Sequence, residues 1–157
     1  MRLGRFSYYE AIERGMDMDS ISLKMPVTIK AKLTEKLREK MIKDLDEGIS
    51  RAQLEVQQIE IQAKRTIQEN EVPEPTVTDI QRLNMIKQHF GEERQKRLDF
   101  IVESQQRRED AQKLVLGAEI VQGTLERQVE IHVGDDMREL MNVEVLVEDD
   151  KIIAIRG

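Results

Sequence analysis

Residues 42–66 read IKDLDEGISRAQLEVQQIEIQAKRT, and the spacing of the apolar side chains here decides the fold. Ile42, Leu45, Ile49, Ala52, Val56, Ile59, Ala63 and Thr66 follow one another at alternating steps of three and four, and only Thr66 is not apolar. Residues so spaced share one face of a helix, and a seven-residue repeat sustained this long is the seam of a coiled coil. Thr34 is the natural N-cap of this helix. Glu-Val-Pro-Glu-Pro-Thr at 71–76 ends it, because Pro73 and Pro75 cannot continue a helical ladder. Thr76 and Asp79 then stand at capping-box spacing and open a second helix, which runs to about Lys113. Each helix has about 36 residues and is therefore ~54 Å long. Equal helices joined by a short proline-containing turn fold back as an antiparallel hairpin over residues 34–113, with its tip at 71–77. Matching the seams sets Thr66 near Ile80, Ala63 near Leu83, Val56 near Phe90, Ile49 near Arg97 or Leu98 and Leu45 near Ile101. The second helix is the weaker partner. Its residues Lys87, Arg94, Gln105 and Arg108 are expected to lay aliphatic stems along the seam.

On both sides of the hairpin the period changes to two. Ile21, Leu23, Met25, Val27, Ile29, Ala31 and Leu33 alternate with Ser22, Lys24, Pro26, Thr28, Lys30 and Lys32. That is the pattern of a half-buried strand. Pro26 marks an edge, a bulge or a break in it. Residues 121–133, 143–147 and 152–155 repeat the alternation, with turns at Gly134-Asp135 and Glu148-Asp149-Asp150 and one helical turn at 136–141. Neither set of strands buries its apolar face alone. The expected fold is α+β: a long antiparallel coiled-coil helical hairpin inserted between strands of a small β-sheet or barrel module built from residues 20–33 and 114–157. Residues 1–19 form an N-terminal extension with a short helix near 8–14, where Ser7 and Glu10 have capping-box spacing and Gly15 is a stop.

The stretches Val27-Thr28-Ile29-Lys30-Ala31, Leu116-Gly117-Ala118-Glu119-Ile120, Gly123-Thr124 and Val133-Gly134-Asp135 frame a charged helical hairpin. With the ending Glu144-Val145, Asp150-Lys151-Ile152-Ile153 and Ile155-Arg156-Gly157, they resemble the bacterial YlqD family over roughly residues 20–157. The resemblance implies the order strand, long coiled-coil hairpin, β-rich C-terminal module. The family has no established activity, so the resemblance supplies no catalytic residue.

Composition bounds the chemistry. The chain of 157 residues has no Cys, which excludes disulfides, Cys-zinc sites and a thiol nucleophile. Net charge is −6, and residues 117–157 hold ten acidic residues against four basic ones, a poor phosphate-binding surface. No apolar run approaches the ~20 residues of a membrane span, and the N-terminus lacks a secretory apolar stretch, so a cytoplasmic protein is expected. His89 and His132 are isolated, and Asp135-Asp136 and Glu148-Asp149-Asp150 coincide with turns. Arg127, the one charge on its strand face, pairs with a carboxylate or lies at a sheet edge. The basic runs at 94–97 and 107–108 are interleaved with Glu and Asp, as on a solvated helix face. No catalytic, cofactor-binding or metal-binding residue is expected.

The informative misfits are apolar. Leu54 and Ile61 lie seven apart and opposite the seam, and Met85 sits at the height of Ile61. Apolar residues repeated on an outer face mark a contact surface. At the tip, Ile67, Val72, Pro73, Pro75, Val77 and Ile80 form either a docking knob or the plug of the hairpin. The expected function is a non-enzymatic interaction or scaffold protein that homo-oligomerises through Leu54, Ile61 and Met85, with an unidentified protein partner. An RNA- or ribosome-associated factor is the alternative, and the net charge weighs against it.

Overall fold

The structure is a computed structural model, and it describes residues 18–157; the helix expected near 8–14 lies outside the described residues. The elements run β1 (Ser20–Lys32), α1 (Glu35–Glu69), α2 (Val77–Lys113), β2 (Glu119–His132), α3 (Met137–Met141), β3 (Glu144–Glu148) and β4 (Lys151–Arg156). The protein is thus α+β, with two long helices forming a hairpin between strands of a mixed four-stranded sheet. By its internal contacts the chain divides into two compact units, residues 35–115 and residues 18–34 with 116–157.

In the helical unit every α1 residue of the seam from Ile42 to Thr66 is buried or half-buried, with Ile49 and Ala52 the most enclosed. The α2 seam is different in kind. It passes through Leu83, Ile86, Phe90, Glu93, Arg97, Ile101, Ser104, Arg108 and Ala111, all buried or half-buried. Two steps of four fall together at Glu93, Arg97 and Ile101, an irregularity that rotates the seam relative to a strict seven-residue repeat. From Leu83, from Phe90 and again from Ile101 the step is three where four was expected, so Lys87, Arg94 and Gln105 are exposed, contrary to expectation, and of the four side chains assigned to the seam only Arg108 is half-buried. Glu93 and Arg97 take the inward positions instead.

The two helices meet close to the matched register. A Cβ placed on Gly48 would stand 3.5 Å from Cζ of Phe100, two positions beyond the residue that seam matching sets opposite Gly48. Long side chains pair further along: Arg94 with Glu60 at 3.0 Å, Arg97 with Glu55 at 3.2 Å and Arg108 with Asp46 at 2.7 Å. Helical side chains lean towards their own N-terminus, so in an antiparallel pair the tips of long residues meet at higher numbers than their Cα atoms do. Arg38 closes the open end by donating to the carbonyls of Gln112 (2.9 Å) and Leu114 (2.6 Å), satisfying orphan acceptors at the C-terminus of α2.

The sheet has the order β2-β1-β3-β4. β1 is antiparallel to β2 along its whole length and parallel to β3 only from Thr28 to Ala31. This explains how Pro26 sits inside a central strand. Thr28 donates its N–H to Val143 O on the β3 side (3.0 Å), and residues two apart point their amides the same way. The nitrogen of Pro26 therefore faces the side where no strand is paired, and no ladder bond is lost. Gly123, opposite Ile29, adjoins a bulge in the β1–β2 ladder. Leu33 is 2% exposed, and its backbone exchanges bonds with Ala118 O (2.7 Å) and Gly117 N (2.8 Å).

The β3–β4 hairpin turns on Asp149 (φ 46°) and Asp150 (φ 70°). Two consecutive positive φ values are those of a type I′ turn, where Asp is tolerated. Asp149 also accepts a 2.7 Å bond from the Thr34 hydroxyl. Asp135 accepts from His132 N, and Asp136 caps α3 through Arg138 N. Both acidic clusters thus have carboxylates engaged in turn and cap bonds.

Candidate interaction surface

The sheet presents two unlike faces. Paired residues of adjacent strands share a face, so the even-numbered residues of β1 set Lys30 beside Glu144. Lys30 meets Glu144 at 2.9 Å, Arg156 meets Glu144 at 3.1 Å, and Arg156 reaches Glu119 at 2.8 Å across the two intervening strands. Lys30's hydrogen bond, helped by the charge of Arg156, holds the Glu144 carboxyl below the usual range, and Glu119 and Glu144 raise Arg156. Leu146 is buried on this polar face. On the other face Met25 and Val27 are buried. Leu125, Ile152 and Ile155 of that apolar face remain largely exposed, although alternation alone assigns them inward. Arg127 is exposed on β2, an edge strand, opposite Met25.

The helical unit carries the residues singled out from sequence. Leu54 is 59% exposed and Ile61 60%, both on α1, and Met85 is 70% exposed on α2. Leu54 borders a shallow depression of about 700 Å³ along one flank of α1, which also takes in the seam residue Ile42, Asp46 and Ser50. The structure places Ile61 and Met85 outside its lining.

At the tip Val72, Pro73, Pro75, Val77 and Ile80 are exposed and Ile67 is half-buried, so apolar packing does little to plug the hairpin. Polar caps close it instead. Thr76 Oγ1 accepts from Asp79 N (3.2 Å) while Asp79 accepts from Thr76 N (2.9 Å), a complete capping box. Those bonds hold the Asp79 carboxyl below its ordinary value, with Arg82 adding to the effect. Asn70 donates its side-chain amide to Thr66 O at the end of α1 (2.8 Å). Its position one residue past the helix is the sequence signal for this cap.

The basic runs of α2 are neutralised in place. Arg94 pairs with Glu60, Lys96 with Glu93, Arg97 with Glu93 and Glu55, Arg107 with Glu103 and Arg108 with Asp46. These hydrogen bonds lower Glu93 and raise Arg97 and Arg108 from their ordinary values. His89 is exposed beside Phe90, ring centroids 5.4 Å apart, and His132 stands 3.5 Å from Glu130 and 3.7 Å from Asp135. Among the described residues no group of three or more His, Asp or Glu is arranged to hold a metal ion, and no helix is long and apolar enough to cross a membrane.

Comparison with known proteins agrees with this architecture. The model of one family, described as YlqD protein, matches residues 21–156. No curated protein matches the chain. A crystal structure of a protein of unknown function from Synechococcus sp. WH 8102 superposes with a TM-score of 0.80 at 23% identity, covering 88% of this chain and 95% of that one. At that identity the likeness is one of fold.

Proposed function

The chain belongs to the YlqD family, and we propose that it is a non-enzymatic interaction or scaffold protein of the cytoplasm. Its helical hairpin is a coiled-coil arm whose outward residues Leu54, Ile61 and Met85 make protein contacts, self-association among them. The observation that carries this role is the exposure of these three large apolar side chains on helices whose outward positions are mostly charged or polar, Val102 on α2 being a further exposed apolar residue. Leaving them in water forgoes about 25 cal/mol per Å² of the apolar area that a partner would cover. The internal pairing of the α2 arginines favours a protein partner over a phosphate backbone, since phosphate binding draws on unpaired Lys and Arg.

The experiment is light scattering on the purified chain across a concentration series, with the Leu54→Glu/Ile61→Glu variant beside it. The expected result is an assembly larger than one chain that the double variant breaks to single chains with its helix content retained. A single chain at every concentration, or an unchanged assembly in the variant, would sink this role for the face.

A further inference from the structure

The depression beside Leu54 is crossed by a regular charge pattern. Glu39, Lys43, Glu47 and Arg51 follow one another at intervals of four on α1, alternating in sign, and all four line the depression. Residues four apart form one ridge on a helix surface, with neighbouring Cβ atoms about 5–6 Å apart. The ordinary use of such alternation is ion pairing along the helix itself. Lys40 and Asp44 on the same helix do pair in that way, at 2.8 Å, and so do Arg107 and Glu103 on α2, at 3.2 Å. The ridge residues do not. All four are exposed, and among the described residues none of them makes an ion pair.

We infer that a second copy of this chain seats antiparallel on that ridge, so that Glu39 meets the other copy's Arg51 and Lys43 meets its Glu47. The inference rests on the proposed role as an interaction protein, and it names the partner and the place. A two-fold axis midway between Lys43 and Glu47 brings every charge of the ridge opposite its complement, giving four ion pairs from four residues of each copy. An in-register parallel arrangement sets like charge on like and is excluded by the same pattern. Ridges of residues four apart, packed on one another, give the commonest class of helix crossing, with the axes inclined at about 50°. The contact is isologous, so it closes at two chains. Leu54 borders the contact and is covered by it. Ile61 lies two turns further along α1, where helices so inclined have diverged, and with Met85 it stays open to a different protein.

The test is analytical ultracentrifugation or light scattering of the full chain with single and compensated charge reversals. These residues are exposed, so the variants fold, and helix content checks that. Lys43→Glu turns two attractive contacts repulsive and is expected to weaken self-association by about ten-fold or more. Lys43→Glu combined with Glu47→Lys restores opposite charges and is expected to restore the dimer. Ile61→Glu alone leaves it intact. A dimer that ignores Lys43→Glu but is lost on Leu54→Glu/Ile61→Glu overturns the ridge and leaves the apolar face standing. A dimer weakened by Lys43→Glu and not rescued by the compensating change also overturns the ridge. A single chain under all conditions overturns both.

Discussion

Replacing Leu33 with alanine is expected to lower the unfolding free energy by about 2–5 kcal/mol, the span found for emptying a well-packed leucine site. Leu33 is the most enclosed large side chain among the described residues, at 2% exposed. Its own backbone fixes its place, because its N–H and C=O are both engaged by the 117–118 segment. Collapse around the missing methyls would require that two-bond clasp to move. The cavity should therefore persist, which puts the cost towards the upper part of the range. Urea unfolding followed by circular dichroism measures it, as a lower midpoint at unchanged slope. A loss below about 1 kcal/mol would mean that the site relaxes and that Leu33 does not anchor its unit.

Introducing aspartate at Ile49 should be comparably severe for the helical unit. Ile49 and Ala52 are the most enclosed residues of α1, and the one cation on the facing line nearby, Arg97, is already engaged by Glu55 and Glu93, so a carboxylate there has no free cation to meet. Burial of an unpaired charge is strongly unfavourable, so the helices separate to hydrate it. A loss of about 3 kcal/mol or more is expected, seen as a lower thermal midpoint for the helical signal. Gln58→Asp, on an exposed position of the same helix, is the control and should change stability by no more than about 0.5 kcal/mol. Equal effects at the two positions would contradict the assignment of the seam.

Much of this was legible because period encodes burial directly. The eight seam residues from Ile42 to Thr66 needed no knowledge of a partner, since a 3.6-residue helix places them together whatever it packs against. The exposure of Leu54 follows from the same geometry. The α2 seam was harder: with Glu93, Arg97, Ser104 and Arg108 on its inward line, polarity gives no guide to which side faces α1. The cap that Arg38 makes joins residues more than seventy positions apart, and no local pattern announces it. The polar face of the sheet was hidden for a related reason. Glu119 and Arg156 meet only because β1 and β3 lie between their strands in that order. Strand order is a property of the assembled sheet and leaves no mark on any single strand. Exposure of Leu125 and Ile155 escaped the alternation rule because period two says which face a residue joins, not how much of that face is covered.

Everything proposed for this protein requires α1 and α2 to lie side by side. Spin labels at Glu47 and Glu103, both exposed, measure this directly by pulsed electron resonance, with the doubly labelled chain diluted in excess unlabelled protein so that only distances within one chain are read. Packed helices have axes 8–10 Å apart, so with the reach of two labels the separation should fall below about 30 Å. A distance near 80 Å, the length of the fifty-odd intervening residues as one continuous helix, would contradict the hairpin and the interaction surface built on it.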